Sequence, residues 1–329
     1  MAFVNAWEYR PAPWSAFADS SVLDAVMRKD LRQEQGKRLE NPDFELRCVF
    51  DARNYFTVDL FQRIRLSDVE NRKLVIVLPS PENSVYISLA ENINKMGISC
   101  RNVEVFFFDE YANGKGEVAP WQSAYSRSGQ WMKYFYSRVR SELRMPMEQV
   151  HFWTTENAAH YSELIEGCGG ADVIYSEMSW TGLRNIDAES FAAGTMDEFL
   201  NMGSRIVTPS CEQICMDSLR GMFGCSGDIS NVPPCTATIG PKDLKAAGLN
   251  LCFNFLSSAN GVNNLQKPNL QLAMFGPICP QNPGSVLRLL PGVCYVSAEV
   301  SAPTNYPGDE DWLGETIEAI RKAEGGNAE

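Results

Sequence analysis

Lys73-Leu74-Val75-Ile76-Val77-Leu78-Pro79 is the stretch of sequence that decides the fold. It is a continuous apolar run rich in β-branched side chains, which is typical of a parallel strand covered on both faces. Residues 83–96 then carry apolar side chains at helical spacing, and residues 103–108 form a second apolar run. A strand, a helix and a strand in this order predict the first unit of a parallel sheet.

The same alternation of strands and helices continues through the rest of the chain. Further strands are predicted at residues 150–153, 171–175, 205–207, 250–256 and 293–298. Helices are predicted at residues 123–143, 158–165, 211–222 and 311–323, with a short helix starting at residue 240. The sequence therefore predicts an α/β fold with a doubly wound, mainly parallel, Rossmann-like sheet and helices on both faces. Residues 1–70 are polar and mixed, and we expect them to form an N-terminal extension that packs on a core domain of residues 71–329.

The composition limits the kinds of partner that the chain can have. Its 329 residues carry a formal net charge of −12, which argues against a general nucleic-acid or anionic-membrane surface. No apolar stretch approaches the roughly 20 residues of a membrane span. The N-terminus lacks the basic and apolar segments of a signal peptide. We therefore expect a cytoplasmic protein with a small-molecule partner and with no nucleic-acid or membrane partner.

The cysteines and histidines give little sign of a metal or redox centre. The ten cysteines are scattered and form no CxxC pair, so they are expected to be reduced thiols. Only two histidines exist, His151 and His160, and ordinary packing or surface roles are the default for both. We expect no cofactor and no metal ion. A redox or metal role for Cys211, Cys215 and Cys225 is the alternative.

Asp109 and Glu110 are the candidate catalytic residues, because they stand where the second apolar run ends. In open α/β sheets, ligands bind at the carboxyl ends of the strands. A carboxylate at such an edge, desolvated by neighbours such as Phe107 and Tyr111, is placed for proton transfer to a bound small molecule. The alternative is a loop acid that caps the next segment.

Five segments stand in a recognisable order along the chain: the strand, turn and helix of residues 77–96, Asp109-Glu110-Tyr111, Ser123-Ala124-Tyr125-Ser126, Trp180-Thr181-Gly182 and Thr236-Ala237-Thr238-Ile239-Gly240. Together they resemble the glucosamine-6-phosphate deaminase/isomerase family, which shares its fold group with 6-phosphogluconolactonase and ribose-5-phosphate isomerase. The resemblance covers roughly residues 70–300. It implies that Asp109 moves a proton between C1 and C2 of an opened sugar or sugar phosphate. Relatives often form trimers or hexamers, which implies a possible homo-oligomer.

The turn that holds phosphate in that family is altered here. The family uses a Gly- and Thr-rich turn whose backbone N–H groups cradle the anion. The matching turn, residues 79–84, has two prolines, no glycine and an added acid. Ser80, Asn83 and Ser84 are the candidates for hydrogen bonds to an anion or a hydroxyl group. Helix capping is the alternative role for these three residues.

The remaining motifs of the family are also changed. Gly182 matches the glycine of the second motif, but Leu183 stands at the position of its histidine. Arg184 has no counterpart in the motif, and its planar guanidinium suits a carboxylate or phosphate, with a surface ion pair as the alternative. Asn260 falls near the late phosphate-binding lysine, and Arg220 near the arginine that helps it.

Two functions follow from this pattern of matches and losses. The first is a sugar-phosphate or sugar-like isomerase or deaminase with a degenerate active site and Asp109 as the base. The second is a non-catalytic relative that binds a sugar-like or acidic small molecule, or a protein partner. The missing histidine, lysine and glycines each weaken the case for the enzymatic function. One positioned acid–base group, such as the histidine, is typically worth roughly 10² to 10⁴ in rate.

Overall fold

Two sheets and the helices around them make up the computed structural model. It describes residues 19–36, 40–79, 83–179, 182–183, 194–254, 263–301, 318–320 and 322. The strands in this part of the chain are β1 (Phe44–Val49), β2 (Leu74–Leu78), β3 (Val103–Phe107), β4 (Asp109–Ala112), β5 (Val150–His151), β6 (Val173–Ser179), β7 (Gly182–Leu183), β8 (Arg205–Val207), β9 (Cys235–Thr238), β10 (Asn250–Phe253) and β11 (Gly292–Ser297). The helices are α1 (Ser20–Met27), α2 (Leu31–Glu34), α3 (Ala52–Val69), α4 (Asn83–Met96), α5 (Arg127–Tyr134), α6 (Tyr161–Gly167), α7 (Met196–Leu200), α8 (Cys211–Ser218), α9 (Pro241–Ala246), α10 (Asn263–Phe275) and α11 (Ala298–Ser301).

The larger sheet is parallel and has the strand order β1-β11-β10-β6-β2-β3-β5. Every neighbouring pair in this order runs parallel. The short strand β7 pairs antiparallel with the end of β6. All five residues of β2 are buried, as expected of a central parallel strand. The predicted α/β fold with a mainly parallel sheet is confirmed.

Helices lie on both faces of this sheet, as two neighbouring residues of β3 show. Successive side chains of a strand point to opposite faces. Phe107 packs edge-on against Trp131 of α5, whereas Phe106 packs edge-on against Tyr161 of α6. Helices α5 and α6 therefore cover opposite faces, which is the doubly wound arrangement that the sequence predicts.

The chain reverses its direction across the sheet between β2 and β6. From β2 it proceeds to β3 and β5 on one side, and it then returns to β6 on the other side of β2 before reaching β10 and β11. Ligands of such sheets bind in the crevice at the carboxyl ends of the strands where the order reverses. The fold therefore identifies the carboxyl ends of β2 and β6 as the place to look for a site.

A second, antiparallel sheet, in the order β4-β9-β8, lies at that same edge. Phe108 joins the two sheets, because its N–H donates to Leu78 O at 2.7 Å and its carbonyl accepts from Ile239 N at 3.0 Å. Asp109 and Glu110 are thus not loop residues after β3 but the first two residues of β4. Both are held by backbone pairing to β9.

The residues before position 70 take part in the core of the molecule. Strand β1 pairs with β11 over six residues. Helix α3 buries Phe56, Leu60 and Ile64 almost completely. These residues pack on and extend the sheet, and the proposed division at residue 70 stays a prediction. Helix α3 has 18 residues, and neither it nor any other helix of the described residues is both long and apolar enough to cross a membrane.

Two helices are shorter than predicted, and a third predicted helix lies partly outside the described residues. The helix predicted at residues 123–143 is only α5, followed by two single 3₁₀ turns at residues 136–138 and 141–143. Helix α8 ends at Ser218, and a separate 3₁₀ turn covers Gly221–Phe223. Of the predicted closing helix, residues 318–320 and 322 are described and are helical, and the others lie outside the described residues.

Candidate functional site

Five charged side chains form one hydrogen-bonded chain at the carboxyl edge of the sheet. Arg127 donates from Nη1 to Asp109 Oδ2 at 2.9 Å and from Nη2 to Asp217 Oδ2 at 2.8 Å. Arg220 donates from Nε to Asp217 Oδ1 at 3.1 Å. Its Nη2 also donates to both carboxylate oxygens of Glu177, at 3.1 Å each. We call Asp109, Arg127, Asp217, Arg220 and Glu177 the carboxyl-edge cluster.

The fold brings these residues together from four separate elements. Asp109 begins β4 directly after β3, and Glu177 lies near the end of β6. Arg127 is the first residue of α5, whose N-cap Ser126 accepts a hydrogen bond from Gly129 N at 2.9 Å. Helix α8 and the turn after it supply Asp217 and Arg220. Because β3 and β6 flank β2, the carboxyl-edge cluster spans the point where the strand order reverses.

The carboxyl-edge cluster is almost entirely removed from solvent. Asp109, Glu177 and Asp217 are between 1% and 3% exposed, and Arg127 is 3% exposed. The side chain of Arg220 is 22% exposed and is the member that solvent reaches. Three carboxylates and two guanidinium groups leave one excess negative charge (2 − 3 = −1). Charges buried in this way cost desolvation energy, so they persist only where pairing and hydrogen bonds offset that cost.

Asp109 is engaged in a strong ion pair rather than standing ready as an isolated base. Its partner Arg127 also lies 3.9 Å above the ring of Tyr111, which fixes the plane of the guanidinium. A charge-assisted hydrogen bond of this kind is roughly twice as strong as a neutral one. Arg127 therefore fixes the orientation of the Asp109 carboxylate.

Glu110 is turned away from the carboxyl-edge cluster and caps helix α5. Its carboxylate accepts from the backbone N–H groups of Tyr111, Arg127 and Ser128 at 2.9 to 3.0 Å. It also accepts from the hydroxyl groups of Ser126 and Ser128, both at 2.7 Å. Burial raises the pKa of Glu110, and these donors act in the opposite direction. The geometry favours the capping alternative for Glu110, and its catalytic role stays a prediction.

The predicted substrate-binding residues are divided between the site, the surface and the part of the chain outside the structure. Arg220 belongs to the carboxyl-edge cluster. Asn83 and Ser84 are exposed on the first turn of α4, which follows β2 in the chain. Gly182 lies in β7, opposite Ser179 of β6. The other three lie outside the described residues: Ser80, Arg184 and Asn260.

Tyr86 is a candidate site residue that has no signal in the sequence. It stands on the first turn of α4 and is 1% exposed, with its ring packed edge-on against Phe56 and Phe135. Its hydroxyl has no hydrogen-bond partner among the residues that the structure describes. Burial, and then the nearby Glu177 carboxylate, raise the pKa of Tyr86. A neutral phenol close to Glu177 is well suited to bind a ligand hydroxyl group.

Arg127 and Asp217 were also missed, and each had only a weak signal in the sequence. Arg127 follows the Ser-x-Tyr-Ser segment, and Asp217 lies on a helix with mixed polar and apolar residues. Their bonds to each other cross 90 residues of chain. No local pattern reports a contact between segments that far apart.

No protein-family model matches the chain, and no curated protein matches it. Solved structures do match. One is a monomeric glucosamine-6-phosphate deaminase, with 14% identity and a TM-score of 0.59, covering 78% of this chain and 98% of that chain. Another is 6-phosphogluconolactonase from Thermotoga maritima, with 15% identity and a TM-score of 0.51, covering 77% of this chain and 98% of that chain. A third is 6-phosphogluconolactonase from Trypanosoma cruzi, with 13% identity and a TM-score of 0.51, covering 79% and 96%. The chain has the fold of this group, as the resemblance implied.

Proposed function

We propose that this chain processes a sugar phosphate or a related sugar at the carboxyl edge of its sheet, as a divergent isomerase or deaminase. One observation carries the proposal. Asp109, Glu177 and Tyr86 follow or end three adjacent strands where the strand order reverses, and all three are buried there. The fold shared with a glucosamine-6-phosphate deaminase and with 6-phosphogluconolactonases supports the same class of substrate.

The proposed reaction begins with the open-chain form of an aldose or amino sugar. A ligand hydroxyl group first takes over part of the bonding between Arg127 and Asp109. Asp109 then removes the proton next to the carbonyl group and returns it at the neighbouring carbon, which converts the aldose to a ketose. With an amino sugar the same shift gives an imine, which water hydrolyses to ammonia and the ketose. Arg127 and Arg220 balance the negative charge that develops on oxygen.

The charge of the carboxyl-edge cluster bears on which ligand fits. The cluster carries one excess carboxylate, and each guanidinium already bonds two carboxylates. Hydroxyl groups and an ammonium group are therefore better suited to the described part of the site than a phosphate dianion is. In this proposal Ser80, Arg184 and Asn260, which lie outside the described residues, are the candidates for contact with a phosphate group.

The test is ammonia release and ketose formation from glucosamine 6-phosphate, with a thermal-shift screen of sugars and sugar phosphates. Asp109→Asn should abolish turnover and keep the fold. A matched control is Asp243→Asn, which changes another buried carboxylate, bonded to Ser162 Oγ at 2.8 Å and to Gly240 N at 2.7 Å. The control should keep turnover in the fraction that folds. Unchanged turnover in Asp109→Asn would remove Asp109 from the mechanism.

A second candidate function is ligand binding without catalysis. The observation that favours it is the Asp109–Arg127 ion pair, because the carboxylate proposed as the base is already bonded to a guanidinium group. On this alternative the protein releases no ammonia from any amino sugar, and a sugar without phosphate still raises its melting temperature. That pair of results would contradict the enzymatic proposal and support a sensing or carrier role.

A further inference from the structure

A second group of reactive side chains lies away from the carboxyl-edge cluster. Glu104, His151 and Cys168 place one potential ligand atom each within 4.8 Å of one another. His151 Nε2 is 2.7 Å from Glu104 Oε2 and 3.9 Å from Cys168 Sγ. All three residues are partly buried, so they are shielded but still reachable by an ion from solvent.

Three elements position these side chains. The parallel pairing of β3 with β5 places Phe106 opposite His151, and Glu104 lies two residues earlier on the same face of β3. The imidazole of His151 stacks on Phe106 with centroids 4.1 Å apart and planes inclined by 9°, which fixes the ring. Cys168 caps the C-terminal end of α6, where its N–H bonds to Leu164 O at 3.1 Å.

The separations of the three ligand atoms are close to those of a tetrahedral metal site. Zn²⁺ binds sulfur at about 2.3 Å and nitrogen or oxygen at about 2.0 to 2.2 Å, so its ligand atoms stand roughly 3.3 to 3.8 Å apart. The observed separations of 2.7 and 3.9 Å lie on either side of that range. All three atoms lie within 4.8 Å of one another, so the proposed site requires rotations of the Glu104 and Cys168 side chains to reach it.

We propose that Glu104, His151 and Cys168 form a binding site for a divalent transition metal of the zinc type, with the fourth position taken by water. A thiolate and an imidazole favour zinc or cobalt over magnesium or calcium, which prefer oxygen ligands. The Cys168 thiol gives up its proton on binding, so the carboxylate and the thiolate together neutralise the two charges of the ion. This differs from the expectation that the chain binds no metal.

Lys73 is the natural competitor of such an ion. Its Nζ lies 3.6 Å from Glu104 Oε1 and supplies a positive charge where the metal would bind. The side chain is half exposed, so it can swing out into solvent when the ion enters. Replacing Lys73 with methionine should therefore tighten metal binding.

The proposed metal is placed for a structural role. Glu104 precedes Asp109 by five residues along β3 and into β4, which is roughly 16 Å of strand. The ion would connect β3, the two-residue edge strand β5 and the end of α6. Such a short edge strand has few backbone hydrogen bonds of its own, so a metal crosslink would hold it to the sheet.

The experiment uses the full chain, stripped with a chelator, kept reduced with a phosphine and titrated with Co²⁺. We expect one equivalent to bind with tetrahedral d–d bands and a thiolate-to-cobalt charge-transfer band, and Zn²⁺ to displace it. Cys168→Ser should lose the charge-transfer band. His151→Asn and Glu104→Gln should weaken binding at least about 100-fold, since changes to outer-shell partners alone cost 10- to 100-fold. Lys73→Met should strengthen it.

Two control variants separate this site from adventitious binding. His160 Nδ1 lies 2.7 Å from Glu163 Oε2 in an exposed pair with no thiol, so His160→Asn should leave the spectrum unchanged. The exposed cysteines Cys211, Cys215 and Cys225, replaced together by serine, should also leave it unchanged. A charge-transfer band that survives in Cys168→Ser and disappears in the triple serine variant would overturn the proposal. So would a wild-type chain that binds no Co²⁺. If Cys168→Ser does not fold, an unchanged affinity in Lys73→Met overturns it.

Discussion

Arg127 holds together two carboxylates that would otherwise repel each other. Its two terminal nitrogens bond to Asp109 and Asp217, and all three side chains are at most 3% exposed. Removing one partner of a buried ion pair typically costs 3 to 5 kcal/mol, because the other charge is left uncompensated. Substitutions of Arg127 therefore test stability more than catalysis. Asp109→Asn is the cleaner functional probe, since it keeps a polar group of the same shape and leaves two carboxylates paired with two guanidinium groups.

Tyr86 should matter for ligand binding and not for stability. Its hydroxyl has no hydrogen-bond partner among the described residues, so Tyr86→Phe should leave the free energy of unfolding unchanged or raise it by about 1 kcal/mol. The affinity for the sugar ligand should fall at the same time. Denaturant unfolding and ligand-dependent melting curves measure the two effects.

Tyr161 provides the matched control for that prediction. It is equally buried, but its hydroxyl donates to His151 O at 2.5 Å and accepts from Phe107 N at 3.0 Å. Tyr161→Phe should therefore lower the free energy of unfolding by about 1 to 3 kcal/mol and leave ligand affinity unchanged in the folded protein. Equal losses of stability in both variants would show that the Tyr86 hydroxyl has a partner after all.

Glu110 should give the protein a stability that falls as the pH rises. Burial raises its folded-state pKa above the ordinary 4.5, so the folded state binds the proton more tightly than the unfolded state does. Between the ordinary and the raised pKa the folded state holds more protons, and the free energy of unfolding then decreases with pH. It levels off once the pH exceeds the folded-state pKa.

Glu110→Gln lacks this titration and should show a flatter dependence, measured by urea unfolding between about pH 4 and pH 8. It should also be less stable by about 1 to 3 kcal/mol, because its amide cannot accept all five hydrogen bonds. The same slope in wild type and variant would show that another group causes it.

At the scale of single elements, helix α5 connects the core to the site. Its first turn provides the backbone donors for Glu110 and carries Arg127 of the carboxyl-edge cluster. Gly129 lets this turn lie close to the preceding loop, because a Cβ at that position would stand 2.2 Å from Trp121 O. Small displacements of α5 therefore act directly on the bond between Arg127 and Asp109.

Gly129→Ala should lower the free energy of unfolding by about 1 to 3 kcal/mol and weaken ligand binding, since the turn must move away from Trp121. Gly167→Ala is the matched control: that glycine also lies in a helix, and a Cβ there meets nothing within 4 Å. The control should be neutral or stabilise by up to about 1 kcal/mol. Chemical denaturation of both variants measures the two changes in the free energy of unfolding. An unchanged stability in Gly129→Ala would contradict the close contact between Gly129 and Trp121 O.

The elements also show which features the sequence could predict. Helix α4 was predicted with its observed bounds, because Val85, Leu89 and Ile93 share one buried face. The helix predicted at residues 123–143 was too long. Phe135, Val139 and Leu143 have helical spacing and are buried, but the backbone after α5 forms two separate 3₁₀ turns. The spacing of apolar residues in a sequence indicates which side chains are buried. It does not decide the backbone conformation, which here depends on tertiary packing.

The candidate site was predictable only in part, for a related reason. Asp109 was found because it stands at the end of an apolar strand, which is a local signal. Its partner Arg127 follows 18 residues later, and Asp217 follows Arg127 by 90 residues. The ligands of the proposed metal site, Glu104, His151 and Cys168, are separated by 47 and 17 residues. Only the tertiary fold brings such residues together, because parallel pairing joins β3 to β5 while helices α5, α6 and α8 supply the other side chains.

At the scale of the whole molecule, the segment before residue 70 should be indispensable. Phe56, Leu60 and Ile64 of α3 are at most 1% exposed, and burying each such side chain stabilises by about 1.5 to 3 kcal/mol. Together with β1 this approaches the 5 to 15 kcal/mol that usually separates folded from unfolded chains. A chain that starts at residue 71 should therefore be insoluble or unfolded.

A chain that starts at residue 19 keeps every described element and is the matched control for the loss of β1 and α3. Expression of both truncations, with circular dichroism of any soluble product, makes the comparison. A well-folded product from residue 71 onward would show that β1 and α3 are dispensable, and it would support the division at residue 70.

Because β1 pairs with β11, this end of the sheet can form only after nearly the whole chain has been synthesised. Arg47 stands opposite Tyr295, which is made 248 residues later. At about 5 to 20 residues per second, β1 and the apolar face of α3 wait on the order of 10 to 50 seconds for their final partner. Throughout that interval a finished but unpaired strand edge is open to other chains. Nascent copies of this protein should therefore depend on chaperones more strongly than the mature fold would suggest.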